Sequence, residues 1–167
     1  MLQIFHTQLV GLLQNIKKQE EKIEECARLL AQAIVGEGRI YIHGTGSLGS
    51  LPANIMNSTD LIPTLDTYSS MEDVSTHDRV LLFSSQSDEE EVKHLIASLD
   101  EKNIPYVWVC ALKNGEQEMD LLINTGLLSG LVPDEDGTRT GFPDSLVSMY
   151  VYHALFLTVK DILADYE

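Results

Sequence analysis

The feature that most constrains this chain is the run Gly38-Arg39-Ile40-Tyr41-Ile42-His43-Gly44-Thr45-Gly46-Ser47-Leu48-Gly49-Ser50. A β-branched and aromatic stretch ends abruptly in glycines and hydroxyls, and the helix-compatible segment Leu51 to Asn57 follows. That pattern is a strand feeding a Gly-rich loop at a helix N-terminus. Glycine lets the backbone approach a ligand closely, and the free N–H groups of a helix start suit an anion. The same pattern also describes a βα turn that binds nothing. The rest of the chain has to decide.

The 167 residues make one domain, long enough to bury about two-thirds of the unfolded surface. Net charge is −15, which repels nucleic acid and anionic membrane, so neither is an expected partner. Any anionic substrate would need a local positive patch. No apolar run nears the length of a membrane span, and the N-terminus, Met1 to His6, lacks the basic start and apolar core of a signal peptide. The only cysteines, Cys26 and Cys110, read as buried thiols in a cytoplasmic protein. No C-x-x-C or His-rich spacing suggests a metal, and no cofactor is expected.

Residues 2–35 read as one long helix, with Leu9, Leu13, Ile16, Ile23, Ala27, Leu30 and Ile34 at three-four spacing. Its narrow apolar stripe suits a domain edge or a second subunit; a kinked pair of helices covering one domain is the alternative. Gly36 and Gly38 stop it. Five strands are predicted within an α/β core at 39–142: Arg39–His43, Leu61–Leu65, Arg79–Ser84, Pro105–Cys110 and Asp120–Asn124. Several are continuous apolar runs, as in strands covered on both faces. A helix over Asp88–Lys102 opens on a capping box, Ser87 to Glu90. Strand, helix, strand at this spacing implies a right-handed parallel crossover. Residues 125–142 are a connection, and a terminal helix covers 144–165 after Pro143. The expected fold is a three-layer α/β sandwich with a mainly parallel five-stranded sheet and long N- and C-terminal helices.

In such a sheet, ligands sit beyond the carboxyl ends of the strands. Those ends hold His43 with the loop Gly44, Thr45, Gly46 and Ser47; Asp66 to Ser70; Ser84, Ser85, Gln86 and Ser87; and Lys113 with Asn114. Hydroxyls suit a polyol or a phosphate, though Ser and Thr also simply favour turns. Lys113 and Arg139 are the candidate anion anchors. Arg139 can equally pair with Asp134, Glu135 or Asp136. His43, at the mouth of the site, and His153, reaching it from the terminal helix of the same or a neighbouring subunit, are the candidate acid–base groups, because histidine titrates near neutral pH. The plain alternatives are a hydrogen-bonded strand-end residue for His43 and a half-buried helix residue for His153.

The stretch Ala27 to Ser47 resembles the opening of a sugar isomerase (SIS) domain. Asp78-Arg79-Val80-Leu81-Leu82-Phe83-Ser84-Ser85-Gln86-Ser87, with the helix and the run Ile104 to Val109 after it, does so too. Nearly the whole chain is similar in length and layout to the phosphoheptose isomerase group. The resemblance implies a single SIS-like domain over 1–167. It also implies a sugar-phosphate site between the first loop and the loop after the third strand, in a homodimer or homotetramer. SIS domains that hold phosphate usually read S-x-S-G-x-T-x-E after that strand. Here Gln86, Ser87 and Glu89 replace the second serine, the glycine and the threonine, and only Ser84 and Glu91 fit. Asp88 to Glu91 crowd the helix start with carboxylates that oppose a phosphate. In the first loop the family serine falls at Leu48, with Ser47 one place early. The glutamate on the following helix has no counterpart near Asn57-Ser58-Thr59. His153 corresponds to a histidine on the last helix, without the glutamine and glutamate before it.

Two functions follow. One is a SIS-fold binding or regulatory module with weak or no activity. The other is an aldose–ketose isomerase working through an enediol. If phosphate binds, the Gly46–Ser50 amides with Ser47 and Ser84 are the expected holders, not the amides of Asp88 to Glu90.

Overall fold

Apolar side chains on both faces of the predicted strands require helices on both sides, and the computed structural model, which describes residues 1–166, has that arrangement. Strands β1 (Ile40–Gly44), β2 (Leu65–Thr67), β3 (Arg79–Gln86), β4 (Tyr106–Ala111) and β5 (Leu122–Asn124) form one sheet in the order β2-β1-β3-β4-β5. Every pairing in it is parallel. β2 begins at Leu65, the last residue of the strand predicted there, because Ile62 to Thr64 turn before entering the sheet. Ile40 pairs with Leu65, and Leu65 N donates to Ile62 O.

Alternation along β3 sorts the core into two halves. Leu81 and Phe83 join Ile40, Ile42, Val107 and Val109 under α2 (Glu20–Val35), α3 (Leu51–Met56) and α5 (Asp144–Ala164). Val80 and Leu82 join Trp108, Cys110 and Leu122 under α4 (Glu90–Glu101). Cys26 and Cys110 are free thiols in this core, one in each half, and burial pushes Cys26 up to about 12.

The single long first helix is corrected to two. α1 (Leu2–Lys17) and α2 part at Lys18-Gln19. The cause is on the sheet edge: Gln19 Nε2 donates to Asn124 O at 2.7 Å, and Asn124 N donates to Gln19 Oε1 at 3.1 Å. One glutamine thus completes the free edge of β5, as a neighbouring strand would. The segment 125–142 also gains structure: β6 (Val132–Pro133) and β7 (Arg139–Thr140) pair antiparallel. α5 has the length and apolarity to span a membrane, contrary to the reading of the sequence. Here it packs Val147, Val151, Leu155 and Val159 into the core.

Candidate functional site

The β1 loop is built on close approach. At Gly44 an added Cβ would lie 2.1 Å from Leu48 O, so only glycine permits the tight 3-10 turn at Gly46–Leu48. Gly46 has φ +54°, in the left-handed region. Leu48 N and Gly49 N are spent on the carbonyls of Thr45 and Gly46, so these two loop amides do not face a ligand.

The donors come instead from β3. Its pairing with β4 slips between Phe83 and Gln86, and this bulge takes two amides out of the ladder. Ser85 N and Gln86 N both donate to Glu89 Oε1, at 3.1 and 3.2 Å. Thr45, fully buried, donates its hydroxyl to Glu89 Oε2 at 2.7 Å. A carboxylate of the chain therefore sits in a cradle of two amides and a hydroxyl between the β1 and β3 loops. Those loops are the two that the sequence nominated, and Glu89 takes its hydrogen bonds there from Ser85, Gln86 and Thr45 rather than from the Gly46–Ser50 amides. Glu89 is also the N-cap residue of α4, so the predicted capping box does not form. Ser87 is buried and its hydroxyl accepts from Lys113 N at 2.9 Å.

The other candidates are placed as follows. Ser84 is buried; its hydroxyl accepts from Trp108 Nε1 at 2.9 Å and donates to Gln86 O at 3.0 Å, which makes it a support of the cradle rather than a donor in it. Ser47 donates to Asp144 Oδ2, at the start of α5, at 2.6 Å. The Lys113 ammonium lies 3.9 Å from Asp88 Oδ2. Arg139 neither faces the cradle nor pairs with Asp134 to Asp136: its Nε donates to Gly130 O and its Nη2 to Leu131 O. Within one chain His153 is set apart from the cradle as well. Its Nδ1 bonds Met149 O, and its Nε2 lies 3.7 Å from Asp60 Oδ2, before β2 begins. Nine residues of helix, about 13 Å at 1.5 Å each, separate it from Asp144 at the carboxyl edge.

His43 does stand at the site. Its Nε2 lies 3.8 Å from Glu91 Oε1, and its ring meets Tyr68 edge-on at 4.9 Å. Burial lowers its pKa, against the opposing pull of Glu91. The site therefore pairs a neutral-leaning imidazole with a carboxylate, beside a cradle already holding another. Among the described residues no group of three or more His, Cys, Asp or Glu is poised for a metal. Reading the sequence missed the role of Glu89; the signal was the acid standing where the motif has threonine.

A family model described as a domain of unknown function (DUF2529) matches residues 1–163. The chain is 41% identical over 172 residues to the uncharacterized protein YwjG of Bacillus subtilis (strain 168), with 99% of each covered. Among solved structures it is similar to a Bacteroides fragilis NCTC 9343 protein assigned as a phosphosugar isomerase involved in capsule formation (TM-score 0.61, 15% identity, 92% and 91% of the two chains covered). It is also similar to E. coli CFT073 c3406, solved in complex with arabinose 5-phosphate (TM-score 0.67, 15% identity, 98% and 89% covered). At that identity the likeness is one of fold, which is sugar isomerase-like.

Proposed function

The chain belongs to the DUF2529 family, and we propose that it is a binding or regulatory module on a sugar isomerase fold, with weak or no isomerase activity. Its ligand is a sugar phosphate or a related polyol. The observation that carries this reading is Glu89, whose carboxylate accepts from Ser85 N, Gln86 N and Thr45 Oγ1. A phosphoryl group entering the cradle has to displace it. One hydrogen bond to a charged group is worth about 1.5–3 kcal/mol, a factor of about 10 to 100 in affinity. The chain's negative net charge weakens phosphate binding further.

The isomerase reading keeps one observation in its favour. The pair of His43 and Glu91, 3.8 Å apart, could move a proton between sugar carbons. Titration and turnover separate the two. With arabinose 5-phosphate as probe, the wild type should bind weakly and turn nothing over, and Glu89→Thr should bind at least tenfold more tightly. Turnover by the wild type that disappears in His43→Gln would replace the module with an enzyme. Unchanged affinity in Glu89→Thr would remove the cradle from the account.

A further inference from the structure

At the opposite, amino edge of the sheet a cavity of about 420 Å³ opens between the end of α4 and the starts of β4 and β5. That is within the usual size of small-molecule sites, about 300–1,000 Å³. Its apolar wall includes Trp108, Tyr106, Met119 and Leu122, and Asp100 and Asp120 stand in its lining. No lysine or arginine is among the lining residues. Lys22 comes near, but its ammonium donates to Met119 O at 3.1 Å. The wall is held in place. The Trp108 indole is anchored through Nε1 to Ser84, and Trp108 N donates to Leu121 O at 3.0 Å. Leu122 N donates to Met119 O, and Asn103 N to Asp100 O. A fixed aromatic ring costs little entropy on binding.

We propose that this cavity is a second binding site, for a small aromatic or alicyclic amine. The flat body would lie against Tyr106, Leu121 and Met119 with the exposed edge of Trp108 beneath it, and the ammonium would face Asp100 and Asp120. The chemistry is the reverse of a sugar phosphate: apolar where that is hydroxylated, cationic where that is anionic. Burial and the Asp100 charge push the Tyr106 hydroxyl up to about 12, so it remains a neutral donor beside the carboxylates.

Trp108 is the only tryptophan in the chain, so its emission reports the cavity directly. The probes are 2-phenylethylamine and 3-phenylpropionate, which carry the same ring and opposite charge. The amine should shift the Trp108 emission saturably, with a midpoint near or below about 1 mM, and the acid should not. Asp100→Asn and Asp120→Asn, both at exposed positions, should each weaken the amine at least threefold without changing the melting temperature. Glu89→Thr should leave the amine response unchanged. No saturable shift, an equal response to the acid, or indifference to both aspartate variants would overturn the proposal. So would an amine response altered by Glu89→Thr, since that would place the amine in the cradle.

Discussion

The two edges of the sheet carry opposite kinds of surface. At the carboxyl edge, the polar groups are largely answered from within: Glu89 takes Ser85, Gln86 and Thr45, Asp144 takes Ser47, and Asp88 takes Lys113. At the amino edge, two carboxylates line a cavity that has no lining cation. Topology directs attention to the first edge, because parallel sheets gather loops and helix starts there. The comparison shows that position alone does not make a site. What matters is whether donors and charges are left for a ligand, and by that measure the carboxyl edge is the more fully spent.

Ser84 links the two edges, and its removal should have the largest effect. Ser84→Ala leaves the buried Trp108 N–H with no acceptor, a loss of about 1–3 kcal/mol. For a chain of this size that is roughly 2–4 °C in melting temperature per kcal/mol. Ser47→Ala, at an exposed hydroxyl, should stay within about 0.5 kcal/mol. Equal melting temperatures for the two variants would break the distinction between a support of the cradle and a residue on its rim.

Emptying the cradle should make the carboxyl edge behave like an open site. Glu89→Ala removes the acceptor from three donors, one of them a buried hydroxyl, and should cost about 1–2 kcal/mol. Inorganic phosphate at ten times its dissociation constant should then return about 1.4 kcal/mol. The wild type, about tenfold or more weaker, should gain less than about 0.5 kcal/mol from the same addition. A melting shift of equal size in both proteins would mean that phosphate binds elsewhere.

The sheet was legible because its strands are long apolar runs punctuated by Gly, Ser and Pro, and period two along β3 sorts Leu81 and Phe83 from Val80 and Leu82. The kinked pair of helices was open as an alternative, but the place of the break at Lys18-Gln19 was not legible, because it answers a contact 105 residues away, between Gln19 and Asn124. Glu89 was visible as the acid in place of the motif's threonine, but its hydrogen bonds were hidden in the same way. Local pattern favours an acid in the first turn of α4, whereas the bulge at Ser84-Ser85 offers it better donors across a turn. Gly44 to Ser47, Ser84 and Ser85 were correctly gathered at one edge. Their hydrogen-bond partners are what sequence could not give, and those partners decide which of them meets a ligand. Arg139 and His153 stand away from that cradle for a plainer reason: Arg139 donates to the carbonyls of Gly130 and Leu131, ahead of β6, and His153 bonds Met149 O one turn back on its own helix.

The smallest expected effect concerns His43, and it tests whether the rim of the cradle is as acidic in action as it is in composition. Two influences oppose each other there. Burial disfavours the imidazolium, Glu91 at 3.8 Å favours it, and burial is the larger. The folded pKa therefore lies below the unfolded value of about 6.5. Native His43 accordingly contributes stability that is present above that value and is lost as pH falls through the folded pKa. Replacing Glu91 by glutamine removes the only pull in the other direction, so the pKa should fall further and the loss should extend to lower pH. NMR titration of the five histidines, with His43 assigned by its disappearance in His43→Gln, reads this directly. A wild-type midpoint above about 6.5 would mean that the carboxylate outweighs burial. His43 would then be charged when a phosphate arrives, and the carboxyl edge would hold the cation that its hydrogen bonds otherwise deny it.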